Sequence, residues 1–307
     1  MAGCLAAVAF GVIAITAVII FGAVALVAGS GLDPTTPTSG YTPAPPITPN
    51  PEPPPPPTPE PDPEPEPEPA AIPDRNFPPL APPNSEDPAW VSVQQAAMYA
   101  VEFPDITGCP EPALLETLAE LEPWASAEIR CLQDAWKPVL ASLGLNSADV
   151  PHFFFEGSSS SSPCGSFTAP AYYCSADGGS IHFGEDLLLG TSHDPIWGKD
   201  LVAHEYGHHL QGASGFFNAI YELPPGNETV RRNEIQATCL GFGMLRRDDS
   251  IVLEREFYDS LEPHLRSFLD DDIHGSPDSL ANWGMRGFHA DLLAQCNTWV
   301  ASSAEVQ

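Results

Sequence analysis

The run from Asp194 to Gln211 constrains this chain more than any other, because it dictates both a helix and what that helix can carry. The Asp194 carboxylate suits the cap, where it accepts from the first amides, and Pro195 suits the first turn. Ile196, Leu201, Val202 and Leu210 give it an amphipathic apolar set, and Gly212 and Gly215 follow where the helix should stop. Inside it, His204-Glu205-Tyr206-Gly207-His208 spells H-E-x-x-H. Four residues make about one turn, so the two histidines share a face and can grip one metal ion. Glu205 is rotated by roughly 100° from His204, where it can take a proton from water without binding the metal. Imidazole and carboxylate donors with one open position favour a single zinc ion, which brings the pKa of bound water to about 7.

Not all of the 307 residues can contribute to a core. Ala2 to Ala28 is almost wholly apolar and carries no charged side chain, and about 20 such residues suffice to span a bilayer. It lacks the basic start and short apolar stretch of a cleaved signal, so residues 1–30 read as a retained transmembrane anchor. The alternative is a secreted form cut near Ala23-Val24-Ala25. Residues 31–88 are dominated by proline, with a Pro-Glu alternation from Glu60 to Pro69. Such a stretch buries no core and favours extended polyproline II at about 3.1 Å per residue, which makes it a disordered stalk. Residues 89–307 are left as the folded domain, placed outside the cell because acidic residues follow the anchor.

The formal net charge is −30, from 41 acidic and 11 basic residues. That balance repels nucleic acid and anionic lipid headgroups, so neither is an expected partner of the domain. Of the 7 cysteines, Cys4 falls in the apolar segment. The other six are an even set in an exported domain, which suggests disulfides, although six allow 15 pairings. Neighbours in sequence suggest Cys109–Cys131, Cys164–Cys174 and Cys239–Cys296. No C-x-x-C spacing supports a cysteine zinc site.

Val91 to Phe103, Ala113 to Leu121 and Ala127 to Leu143 carry helical spacing of apolar residues, and Gly144 ends the third. His152-Phe153-Phe154-Phe155 reads as a buried strand, and Gly157 with Ser158 to Ser162 as a flexible loop. Phe167 to Cys174 and Ser180 to Phe183 read as a β pair, the strand before the metal helix being the expected edge for an extended peptide. The isolated His182 and His193 are expected as ordinary surface or satisfied residues. A second helix starts near Asn227, whose side chain suits the cap, and runs through Val230, Glu234, Ala237 and Leu240. Glu234 is the best third ligand from such a helix. A solvated glutamate paired with Arg231 is the other reading.

Several patches together resemble the bacterial neutral zinc metallopeptidase family. They are His204-Glu205-Tyr206-Gly207-His208-His209-Leu210-Gln211 and Asn233-Glu234-Ile235-Gln236-Ala237-Thr238-Cys239 around the metal, with Pro163-Cys164-Gly165 and Tyr172-Tyr173-Cys174 upstream. Downstream lie His274-Gly275-Ser276-Pro277, Trp283, Arg286-Gly287-Phe288 and Cys296-Asn297-Thr298. The resemblance implies a zincin-like α+β fold, mostly helical with a small sheet. It also implies His204, His208 and Glu234 as zinc ligands and Glu205 as catalytic base. With the anchor and stalk, the expectation is a zinc peptidase at a bacterial cell surface, acting on a peptide or protein substrate. The family usually has Asp four residues after the ligating glutamate, where this chain has Thr238. Threonine can accept a hydrogen bond from a ligating imidazole but brings no charge, and such a loss typically costs about 10- to 100-fold in metal affinity or activity. His274, in a shared patch, is the candidate donor to a developing oxyanion, a turn residue without chemistry being the alternative. Against a peptidase stand a catalytically weak or inactive binding protein displayed on the stalk, and a structural wall protein.

Overall fold

The structure, a computed structural model, describes residues 71–307. The apolar anchor segment, Cys4 and most of the proline-rich stretch lie outside the described residues. Among the described residues no helix is long and apolar enough to cross a membrane. Residues 71–87 have no regular secondary structure, yet Ile72, Phe77 and Leu80 pack against the core. Arg75 pairs with Glu262 at 3.0 Å, and Arg286 donates to the Pro78 carbonyl at 3.1 Å. The folded part therefore begins well before Trp90.

The architecture is α+β, mostly helical with a small sheet. Helix α1 (Pro88–Gln94) is capped by Asp87, which accepts from the amides of Ala89 and Trp90. A short 3-10 turn, Ala97–Ala100, ends what the sequence pattern extended to Phe103. Helix α2 (Leu118–Ser142) is one element where the spacing predicted two. Pro123 and Pro138 lie inside it, each costing about 3 kcal/mol. The helix survives because Leu121, Trp124, Ile129, Leu132, Trp136 and Leu140 are buried, at about 1.5–3 kcal/mol each. Glu120 also secures its start, accepting from the amides of Glu116 and Thr117.

Strand β1 (His152–Phe155) is an edge rather than a buried strand, and Phe153 is 51% exposed. Strands β2 (Ser159–Ser162) and β3 (Gly165–Thr168) form an antiparallel hairpin where a flexible serine loop was expected. Two features hold it: Ser161 and Ser166 hydroxyls meet at 2.8 Å across the strands, and Cys164 in the two-residue turn is bonded to Cys174. Strands β4 (Ala171–Cys174) and β5 (Ser180–Gly184) pair antiparallel, giving a sheet of order β1-β5-β4 with β1 parallel to β5. The strand next before the H-E-x-x-H helix is thus the centre of the sheet, and β4 is its second edge. Phe167, expected in the same strand as Cys174, belongs to the hairpin instead.

Helix α3 (Leu188–Thr191) is a single turn leading to α4 (Pro195–Ala213), the helix of the H-E-x-x-H motif. Asp194 caps α4, its Oδ1 accepting from the Ile196 amide at 2.9 Å, and Pro195 opens it. The expected amphipathic face does not exist: α4 runs through the middle of the fold, against β4, α2 and α6 (Asn227–Arg247), and is buried nearly all round. Two of its charged residues are buried against partners. Lys199, fully buried, meets Glu128 at 2.7 Å and Asp248 at 2.6 Å, while Asp200 meets His264 at 2.8 Å. Between α4 and α6 lies α5 (Phe216–Glu222). The cap of α6 is Gly226, not the Asn227 side chain. Helices α7 (Arg255–Arg266) and α8 (Pro277–Phe288) complete the core, α8 packing on both α6 and α7. The cysteines pair as Cys109–Cys131, Cys164–Cys174 and Cys239–Cys296, as their order in sequence suggested.

Candidate metal centre

Small residues decide how closely α4 and α6 approach. A Cβ on Gly207 would lie 3.0 Å from the Ala237 carbonyl oxygen and 3.2 Å from its Cα, and one on Gly241 would lie 3.2 Å from the His204 nitrogen. Backbone against backbone, the helices bring Glu234 Oε2 to 3.0 Å from His208 Nε2 and 3.4 Å from His204 Nε2. Ligand atoms of His204, His208 and Glu234 all lie within 4.8 Å of one another, the span of a single cation. Glu234 is buried here, and Arg231 points elsewhere, to the carbonyls of Val306 and Asp272.

The electrostatics of the cluster call for a positive charge. Burial alone would lower the His208 pKa, but the Glu234 carboxylate beside it outweighs burial and pushes it up to about 9. Burial would raise Glu234, but His208 and His204 hold it well below the usual carboxylate range. Glu205, also buried, is pushed up, and its Oε2 has no hydrogen-bond partner. A buried carboxylate facing two imidazole Nε2 atoms, with the charge of a second buried carboxylate felt by both rings, forms a donor set that a divalent cation neutralises.

The far ring nitrogens are also occupied. Thr238 Oγ1 lies 3.3 Å from His204 Nδ1 and 3.3 Å from the Glu234 carbonyl oxygen. A carbonyl only accepts, so the hydroxyl donates to it and keeps a lone pair for His204 Nδ1–H. His208 Nδ1 meets Gln211 Oε1 at 2.8 Å. Each imidazole is thereby set with Nε2 towards the cluster, by a neutral acceptor in both cases.

His274 stands at the rim, its Nε2 4.0 Å from Glu234 Oε2. Its Nδ1 is 2.8 Å from Asp271 Oδ2, and the other oxygen of Asp271 accepts from the His274 amide at 2.5 Å. Burial pulls the His274 pKa down, but Asp271 and Glu234 together raise it. Beside the ligands, the Phe217 ring stacks on Tyr173 of β4 at 5.6 Å and lies 6.4 Å from His208. Through these two rings an aromatic contact links Tyr173 of β4 to His208.

His182 is stacked between Phe153 and Tyr172 and bonded to Ser180 Oγ, while His193 is exposed and meets Ser192. Neither reaches the cluster. Cys109, Glu128 and Cys131 also converge, but the two sulfurs are bonded to each other and Lys199 holds the carboxylate. Sequence reasoning assigned no role to Gln211, Gln236 or Asp271. The glutamines did carry a signal, each sitting within three residues of a metal-ligand candidate, at His208 and Glu234.

Comparison with known proteins adds a distant relationship. No family profile matches the chain, and no solved structure matches it. It is 24% identical over 209 residues to the "Uncharacterized protein YpfJ" of Escherichia coli strain K12, an alignment covering 59% of this chain and 72% of that protein. The protein of the same name from Escherichia coli O6:H1 matches to the same extent.

Proposed function

We propose that this chain is an extracytoplasmic zinc-dependent peptidase, held at the membrane by its N-terminal apolar segment and resembling the neutral zinc metallopeptidases in its zincin-like domain. The observation that carries the reading is the convergence of His204 Nε2, His208 Nε2 and Glu234 Oε2 beside the unpartnered Glu205 oxygen. Three disulfides support an oxidising compartment. Zinc held by the three ligands would supply Lewis-acid polarisation of a carbonyl and an acidified water, worth several kcal/mol to the transition state.

The chain's own groups do the rest. Glu205, with its basicity raised by burial, takes the proton of the attacking water on Oε2 and delivers it to the leaving amine. His274 donates from Nδ1 to Asp271, so it is as the imidazolium, which the Asp271 and Glu234 carboxylates favour, that it donates from Nε2 to the oxygen that gains charge. The outer edge of β4 has no strand hydrogen-bonded to it among the described residues, and it can hold an extended peptide by backbone pairing next to the ligands. The test is Glu205→Gln. It should keep zinc stoichiometry while losing at least about 100-fold in cleavage of a peptide library. Unaltered cleavage refutes the assignment. A folded, zinc-loaded wild type that cleaves nothing favours the displayed binding protein.

A further inference from the structure

A chain of buried side-chain amides extends from His208 into the core, and the polarity of each link can be read without assuming any other. Trp299 Nε1 can only donate, and it lies 3.4 Å from Gln236 Oε1. The Cys296 carbonyl can only accept, and Gln236 Nε2 lies 3.1 Å from it. Together they fix which way the Gln236 amide faces. Gln211 Nε2 lies 2.8 Å from the Asn233 carbonyl oxygen and 3.0 Å from Gln236 Oε1, both acceptors. That fixes the Gln211 amide as well. Only its oxygen is left to face His208 Nδ1 at 2.8 Å. An amide oxygen cannot donate, so Nδ1 carries a proton, the one that stays when a cation takes Nε2.

We propose that Gln211 and Gln236 are positioning residues that hold His208 as its Nδ1–H tautomer, so that a neutral amide relay aims Nε2 at the metal. The proposal rests on the metal-centre reading above, not on peptide cleavage. Asn233 fits it with its side-chain amide reversed. Its Nδ2 lies 3.3 Å from His208 Nδ1, and its Oδ1 is buried without a partner. A half-turn of that amide brings the unpaired oxygen to the same N–H. Both glutamines are fully buried, so water is poorly placed to substitute for either link. The relay ends at Tyr99, whose hydroxyl takes a bond from Gln236 Nε2 and donates to the Val93 carbonyl. Because Cys296 and Trp299 already orient Gln236, this last link is dispensable for the tautomer.

The experiment measures zinc affinity by chelator competition, with 15N-histidine NMR on the zinc-loaded full chain. In the wild type, the ring proton of His208 should be on Nδ1 and protected from exchange. Gln236→Met should weaken zinc binding by about 10-fold or more and expose that proton to exchange. Gln211→Met should do at least as much, while Tyr99→Phe should stay within about 2-fold of wild type, since it leaves the Gln236 orientation intact. Glutamine variants that fold, keep all three disulfides and bind zinc within 2-fold of wild type overturn the proposal. Should those variants fail to fold, wild-type spectra with zinc on His208 Nδ1 and the proton on Nε2 overturn it alone. A wild type that binds zinc through Nε2 yet cleaves no peptide sinks the peptidase reading and leaves the relay standing. One that binds no metal sinks both.

Discussion

Gly207→Ala tests whether the α4–α6 spacing, more than the ligands' identity, makes the centre. The added Cβ would sit 3.0 Å from the Ala237 carbonyl oxygen and 3.2 Å from its Cα. Both are backbone atoms of a buried helix, so the helices must part by a few tenths of an ångström. Overpacking of this kind costs about 1–3 kcal/mol, whereas alanine inside a helix gains about 1 kcal/mol over glycine. The net loss of stability is therefore only about 0–2 kcal/mol, or at most about 8 °C in Tm for a domain of this size. Metal binding is the more sensitive readout. Ligand distances tolerate about 0.2 Å, and the separating force acts one turn from Glu234, three residues before Ala237. Zinc affinity should fall by about 10-fold or more while the fold persists. Gly226→Ala, which meets nothing within 4 Å, is the control. An alanine variant at position 207 with wild-type zinc affinity would refute the claim that this close approach sets the ligand geometry.

Other substitutions probe the surroundings. Thr238→Asp places a carboxylate where a hydroxyl lies 3.3 Å from His204 Nδ1, and should raise zinc affinity by about 10-fold in the same chelator competition. Lys199→Met leaves the buried Glu128 and Asp248 facing each other without a cation, and should cost about 3–5 kcal/mol in urea denaturation. His264 is clamped between Asp194 at 3.2 Å and Asp200 at 2.8 Å; burial lowers its pKa, but the two carboxylates outweigh this and push it up to about 9. Its folded pKa lies above the ordinary value near 6.5. The stability it contributes is therefore complete below about pH 6.5 and lost as pH rises through about 9. Urea midpoints at either end of that window should differ more for wild type than for His264→Gln.

What could be read in the sequence was whatever depends on neighbours along the chain. Asp194 and Pro195 announce α4, H-E-x-x-H places its histidines, and cysteine order gives the disulfides. Contacts across elements were hidden. Nothing near Lys199 in sequence announces that α2 and the end of α6 close over it with Glu128 and Asp248. The proline at position 123 reads as a break because the cost of its ring is local, while the burial that offsets it is tertiary. The serine run reads as a loop because its strand partner is held by a disulfide, not by apolar alternation. Gln211 and Gln236 read as ordinary polar positions because their partners come from residues as distant as Tyr99 and Trp299.

The order of the cysteines has a consequence for how the molecule is made. Each is bonded to its neighbour in sequence, closing loops with separations of 22, 10 and 57 residues. Of the 15 ways to join six cysteines, this alone lets every pair close before the next cysteine emerges from a secretion channel. A chain exported from its N-terminus can therefore oxidise stepwise with no bond to be undone, and needs an oxidant more than an isomerase. The last loop to close joins α6, which carries Glu234, to Cys296. In an exported chain the loop that joins the helix of Glu234 to Cys296 would thus be locked last, after the sheet and the hairpin are already stapled.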